Sequence, residues 1–193
     1  MADDRRPHLA RSYDHAAGIV AGIDADQLGR PTVCPEFDVA GLVDHIVGAG
    51  WRAVSLGRGE APTGEEFPHV ELGDAPGELR RAGAEAAAAW ADDARLSATV
   101  TMPWGETYSG ATLVDMYLAE LAAHTWDLAA ATGQAARLDP ALAGPALEAA
   151  RAMLKPEYRD MMGKGNPFGA EVPAPAGATD WERFAAFMGR DPR

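Results

Sequence analysis

Residues 109–133, SGATLVDMYLAELAAHTWDLAAATG, read as one helix of about seven turns, and that length sets the scale of the fold. The segment contains no proline. Ser109 is a good N-cap and Gly133 a good C-cap, so the sequence marks both ends. A helix this long in a chain of 193 residues needs other helices along its flanks to bury its apolar sides. The rest of the chain supplies them. It holds 41 alanines, and β-branched residues are scarce.

Leu9, Tyr13, Ala16, Ala17, Val20, Ile23 and Leu28 recur at helical spacing and predict a first helix over 9–28. Pro31 and Pro35 bound a loop. Asp38 then caps a second predicted helix to about residue 57, with Val39, Leu42, Val43, Ile46 and Val47 as its apolar stripe. Gly41, Gly48 and Gly50 lower its propensity and suit close approach by a neighbouring helix. Residues 58–73 read as a long crossover loop, and Asp74 opens a third helix over about 75–94. Residues 96–108 alone have strand character. Pro103 and Gly105 limit them to one short strand or hairpin arm. Pro140 opens a fifth helix to about Leu154; beyond Lys155 the chain turns Gly/Pro-rich before a short terminal helix, WERFAAFMG. No internal repeat and no heptad pattern is present. The expected fold class is all-α: a four-helix bundle with a crossover loop, an extra helix and a Gly/Pro-rich C-terminal tail. Residues 1–154 form the expected bundle domain, with 155–193 packing on it as an extension.

Charge and cysteine usage remove several function classes. The net charge of −12 opposes binding to nucleic acid or an anionic membrane through a broad basic surface. One cysteine, Cys34, excludes an internal disulfide framework and a multi-cysteine zinc site, and the thiol reads as a small packed residue. No apolar run approaches the roughly 20 residues that span a bilayer, and the first residues carry charges without a following apolar segment. The expectation is a cytoplasmic protein, monomeric or homodimeric.

The residues that point to chemistry are Glu120, His124 and Asp127 in the long helix. Positions four apart share a helix face, so Glu120 and His124 can hold one cation together. Asp127 lies on nearly the same face, where it either joins the ligands or orients a liganding imidazole. His45, in the apolar middle of the second helix, is the best third ligand. Two imidazoles and one carboxylate around a divalent ion leave coordination positions open, as sites that activate a bound water or thiol do. A Glu/His pair at this spacing is also common as a plain helix-supporting contact, so the pattern needs a meeting of His45 with His124. His15, in the first helix, is a reserve fourth ligand; His8 and His69 read as surface residues. Trp51 and Trp126 are candidate pocket walls, and Arg52 a candidate anchor for an anionic substrate. Gly163, Gly165 and Gly169 lack the spacing of a phosphate loop.

Three segments carry a resemblance over nearly the whole chain: CPEFDVAGLVDHIVG, PWGETYSGATLVDMYLAELAAHTWDLAAATG, and PFGAEVPAPAGATDWERFAAFMGRDP. Together they resemble the actinobacterial metal-binding family related to mycothiol-dependent maleylpyruvate isomerase, within the DinB-like group. The resemblance implies a DinB-like four-helix bundle with one divalent metal, usually zinc, with nickel as the alternative. By motif its ligands fall on His45, Glu120 and His124. It also implies a low-molecular-weight thiol, mycothiol, as co-substrate, and a small electrophile as its target. A metal beside a thiol stabilises the reactive thiolate. Two departures argue against the isomerase reaction itself. Asp115, Met116 and Tyr117 stand where the isomerase pattern tends to carry an arginine, and its separate C-terminal domain has no counterpart here. Two readings follow: a metal-dependent enzyme acting through mycothiol or water (an S-transferase or isomerase-like activity), or a non-catalytic bundle in which the metal serves structure or interaction.

Overall fold

The computed structural model describes residues 4–62, 67, 69–154, 159 and 168–192. Its helices among these are α1 (Arg6–Val20), α2 (Val39–Arg58), α3 (Ala75–Ala89), the short α4 (Asp93–Ser97), α5 (Gly110–Thr132), α6 (Pro140–Met153) and α7 (Asp180–Phe187). The fold is all-α. Helices α1, α2, α3 and α5 pack around one core of Leu42, Ile46, Leu79, Leu113, Leu118 and Leu121, closed by Tyr13 and Trp90. On the far side of α5, helices α6 and α7 bury a second apolar cluster that includes Trp126, Leu142, Trp181 and Phe184. Helix α5 thus lies between two cores, which is why sixteen of its residues are buried.

Three of the predicted caps are observed, while Asp74 stands at the start of α3 without a side-chain capping bond. Asp38 accepts the Gly41 amide, Ser109 accepts the Thr112 amide, and Gly133 ends α5 with a left-handed φ of 74°. The glycines of α2 do admit neighbours. Tyr13 of α1 lies against Gly50 and donates its phenol to the Gly50 carbonyl at 2.7 Å.

Three boundaries differ from the sequence expectation. Helix α1 stops at Val20 instead of continuing to residue 28. The chain turns there into a short 3-10 segment, Ala25–Gln27, whose capping box joins Asp24 and Gln27. Ile23 and Leu28 still pack on the core, so the apolar period outlasts the helix. Helix α3 ends at Ala89, because Trp90 turns inward to donate to the Ala53 carbonyl and Asp92 starts α4. Residues 96–108 hold both arms of a hairpin, β1 (Thr99–Thr101) and β2 (Thr107–Ser109), paired antiparallel. Pro103 and Gly105 sit in its turn, where neither interrupts the ladder. Part of the predicted crossover loop, and Gly163 and Gly165 of the glycine-rich segment, lie outside the described residues. No described helix is long and apolar enough to cross a membrane.

Candidate metal centre

Helices α2 and α5 pack together where each carries a candidate ligand on its facing side. His45 stands on α2. Glu120 and His124 stand one turn apart on α5. Glu120 Oε1 lies 2.9 Å from His45 Nε2 and 3.2 Å from His124 Nε2. The two imidazoles meet edge to face, 4.7 Å between centroids. One ligand atom from each of the three residues falls within 4.8 Å of the others. Ligand atoms about 2.0–2.1 Å from a tetrahedral zinc stand about 3.3 Å from one another, so the observed carboxylate–imidazole spacings suit a shared cation. Among the described residues this is the only such cluster.

The donor set also fits a cation chemically. His124 is wholly buried, and its Nδ1 lies 3.1 Å from Asp127 Oδ2. With Nδ1 donating to that carboxylate, Nε2 points to the meeting point of the three residues, where it carries a proton in the metal-free protein and would offer a lone pair to a bound cation. Nε2 is buried and has no hydrogen-bond partner. Its contact with Glu120 Oε1 at 3.2 Å is an ion pair without hydrogen-bond alignment, and a divalent ion would satisfy both groups directly.

The charges tell the same story. Burial opposes charge on Glu120, yet His124 and His45 together hold its carboxyl well below the ordinary carboxylate range. Burial likewise opposes charge on His124, but Glu120 and Asp127 raise it to about 9. In the metal-free protein the cluster therefore collects a positive charge as a proton, at the place where a metal would supply one.

The surroundings are partly aromatic. The Phe37 ring is 4.9 Å from the His45 ring, and Phe67 meets His45 edge-on at 5.0 Å. A side chain at Gly48 would overlap the Phe67 ring, so this glycine lets the aromatic lie on α2. Arg52, seven residues past His45 and so on the same face, places its guanidinium 4.7 Å from the Phe67 centroid and interacts with Tyr117. Neither phenylalanine was named from sequence. Only the PEF tripeptide ahead of the α2 cap places one of them near His45.

The other predicted residues are placed as follows. Asp127 stands behind His124, on the side away from Glu120, and is itself wholly buried. Trp51 faces α3, donating to Glu78 at 3.2 Å with Arg81 over its ring. Trp126 belongs to the second apolar cluster. Six residues from His45 and two from His124 are steps that carry a helical side chain well off the ligand face. His15 Nε2 accepts the Asp139 amide at 3.2 Å and its ring lies 6.1 Å from Trp181, which removes it as a fourth ligand. Cys34 is buried, and that burial pushes its thiol pKa up.

A helical bundle with a two-histidine, one-carboxylate cluster between its central helices defines the class of protein. The chain belongs to the family described as mycothiol maleylpyruvate isomerase N-terminal domain, which matches residues 9–129, and its bundle is of the DinB-like kind. It is also similar to two uncharacterized proteins of Mycobacterium tuberculosis, from strains CDC 1551 and H37Rv. Each is 36% identical over 188 residues, covering 95% of this chain and 96% of the relative. No solved structure matches.

Proposed function

We propose that the protein binds one divalent metal, zinc in preference to nickel, through His45, Glu120 and His124, and uses it to activate a small nucleophile. That nucleophile is a low-molecular-weight thiol such as mycothiol, or water, and its target is a small electrophile. The observation that carries this reading is the meeting of the buried Nε2 of His124, which makes no aligned hydrogen bond, with the Glu120 carboxylate that also holds His45. Family membership supports the thiol part of the reading.

When bound, a divalent ion supplies Lewis acidity that favours the anionic form of a thiol or water beside it. The chain's own residues do the rest. Asp127 holds His124 through Nδ1 and so sets which ring nitrogen is left to ligate. Glu120 offers one oxygen to both imidazoles. Phe37 and Phe67 flank His45 with their rings. Arg52, on the His45 face of α2, is the cation to which we assign an anionic group of the substrate.

Elemental analysis of the untagged protein beside His45→Ala and His124→Ala tests the metal. About one equivalent in the wild type and none in either variant is the expected result; a wild type that stays empty after reconstitution overturns it. A thiol-consumption screen with mycothiol and electrophiles such as monochlorobimane then tests the activity. Metal bound but no thiol consumed with any electrophile would favour the non-catalytic reading.

A further inference from the structure

Every ligand of the proposed centre lies on α2 or α5, yet the support behind His124 comes from the other end of the chain. Helix α7 ends at Phe187, and Gly189 turns the backbone with a left-handed φ of 82°. The turn is tied down by two amides, Gly189 N to the Ala186 carbonyl and Arg190 N to the Ala185 carbonyl, at 3.1 and 2.9 Å. A Cβ on Gly189 would stand 2.6 Å from Gly169 Cα, so two glycine backbones cross here with no room for a side chain. This crossing sends Arg190 inward, where it is 6% exposed.

The Arg190 guanidinium meets Asp127 as a fork. Nε donates to Oδ1 at 3.1 Å and Nη2 donates to Oδ2 at 2.8 Å, while Nη1 donates to the Met188 carbonyl at 2.8 Å. Asp127 Oδ2 also receives the His124 Nδ1 proton. The order is therefore Arg190, Asp127, His124, then the meeting point with Glu120 and His45.

We infer that Arg190 is a positioning residue of the metal centre: by fixing the Asp127 carboxylate it fixes the ring and the donor nitrogen of His124. A carboxylate with no exposure and a single imidazole partner would be costly to bury, and it could rotate about its own bond. The two-point fork removes that rotation and keeps both oxygens as acceptors. His124 Nδ1 must then donate, and Nε2 is held facing Glu120. A lysine would keep the charge but offers a point donor in place of a fork. The inference rests on the metal reading for its ligand, but the Arg190–Asp127–His124 order does not.

The test compares Arg190→Ala and Arg190→Lys with Trp181→Phe. The last removes the Trp181 hydrogen bond to the Asp139 carbonyl and loosens the tail without touching Asp127. Zinc affinity is read by competition with a chromophoric chelator. Geometry is read from the visible spectrum of the cobalt-substituted protein. Arg190→Ala is expected to weaken zinc binding about 10–100-fold and to shift the cobalt bands, with Arg190→Lys in between. Trp181→Phe is expected to lower the melting temperature and leave zinc affinity and spectrum unchanged. Wild-type affinity and spectrum in Arg190→Ala would reduce Arg190 to a staple for the tail and overturn the inference. If the alanine variant does not fold, the same outcome in Arg190→Lys overturns it.

One readout needs no metal. The His124 Nδ1 proton, hydrogen-bonded and buried, is expected as an exchange-protected downfield NMR resonance in the metal-free protein. Its loss or rapid exchange in the Arg190 variants supports the positioning role even if the wild type proves to bind no metal. Its persistence unchanged in them overturns it.

Discussion

His124 and His15 begin alike and end differently. Each sits inside a helix and each has an aspartate neighbour, though His124 is wholly buried and His15 only partly. At His15 the neighbour is the Asp139 backbone amide, which donates to Nε2, and Trp181 packs near the ring. At His124 the neighbour is the Asp127 carboxylate, which takes Nδ1 and leaves Nε2 without a hydrogen bond. One imidazole has its acceptor nitrogen satisfied by the fold, while the other turns its second nitrogen toward Glu120 and His45. The neighbour at the first nitrogen, an amide donor at His15 and a carboxylate acceptor at His124, decides which ring nitrogen the fold leaves over.

The comparison breaks most visibly by truncation. His124→Ala is expected to take the protein from one equivalent of metal to none, while His15→Ala keeps the full equivalent, both read by elemental analysis. A wild-type metal content in His124→Ala would erase the distinction. Next come the aspartates. Asp127→Ala strands Arg190 in the interior and is expected to cost about 3–5 kcal/mol in urea unfolding. Asp139→Ala removes the cap that accepts the Ala141 amide and an exposed pair with Arg11, and is expected to cost about 1 kcal/mol.

Titration of the metal-free protein sharpens the contrast, because the two histidines carry opposite signs. His124 has its folded pKa raised to about 9 from an ordinary 6.5. Its stabilisation is complete below pH 6.5 and is lost as pH rises through 9. Glu120 is depressed, so its contribution is present above about pH 4.5 and lost as pH falls below that. His15 is lowered by burial, which Asp139 only partly offsets. Its contribution is present above pH 6.5 and lost as pH falls through its folded value. Melting temperatures recorded across pH 4–10 should therefore lose their alkaline decline in His124→Gln. In His15→Gln they should lose part of the acid-side decline below pH 6.5. The smallest effect is expected at Gly48→Ala. Its new methyl group displaces Phe67, and a chelator should then strip the metal faster with little change in melting temperature.

Much of this was legible in the sequence, for reasons that differ by residue. Caps at Asp38, Ser109 and Gly133 are local chemistry, so the ends of α2 and α5 could be read directly. The Glu120–His124 pair follows from helical spacing, and His45 from its place in an apolar stripe. Spacing could not tell which helix each tryptophan faces, and Trp51 and Trp126 lie against α3 and the outer cluster. Nor could it pair Arg190 with a residue 63 positions earlier. That contact depends on a glycine–glycine crossing, which is a property of the folded chain. The early end of α1 was hidden because Ile23 and Leu28 keep the apolar period after the hydrogen-bond pattern changes.

The single cysteine has a consequence for any chemistry conducted with small thiols. Cys34 is 3% exposed and its thiol is harder to ionise than a free one, because burial disfavours the thiolate. Disulfide exchange requires an accessible thiolate. A pool of small thiols and disulfides therefore finds in Cys34 a poor partner for mixed disulfides.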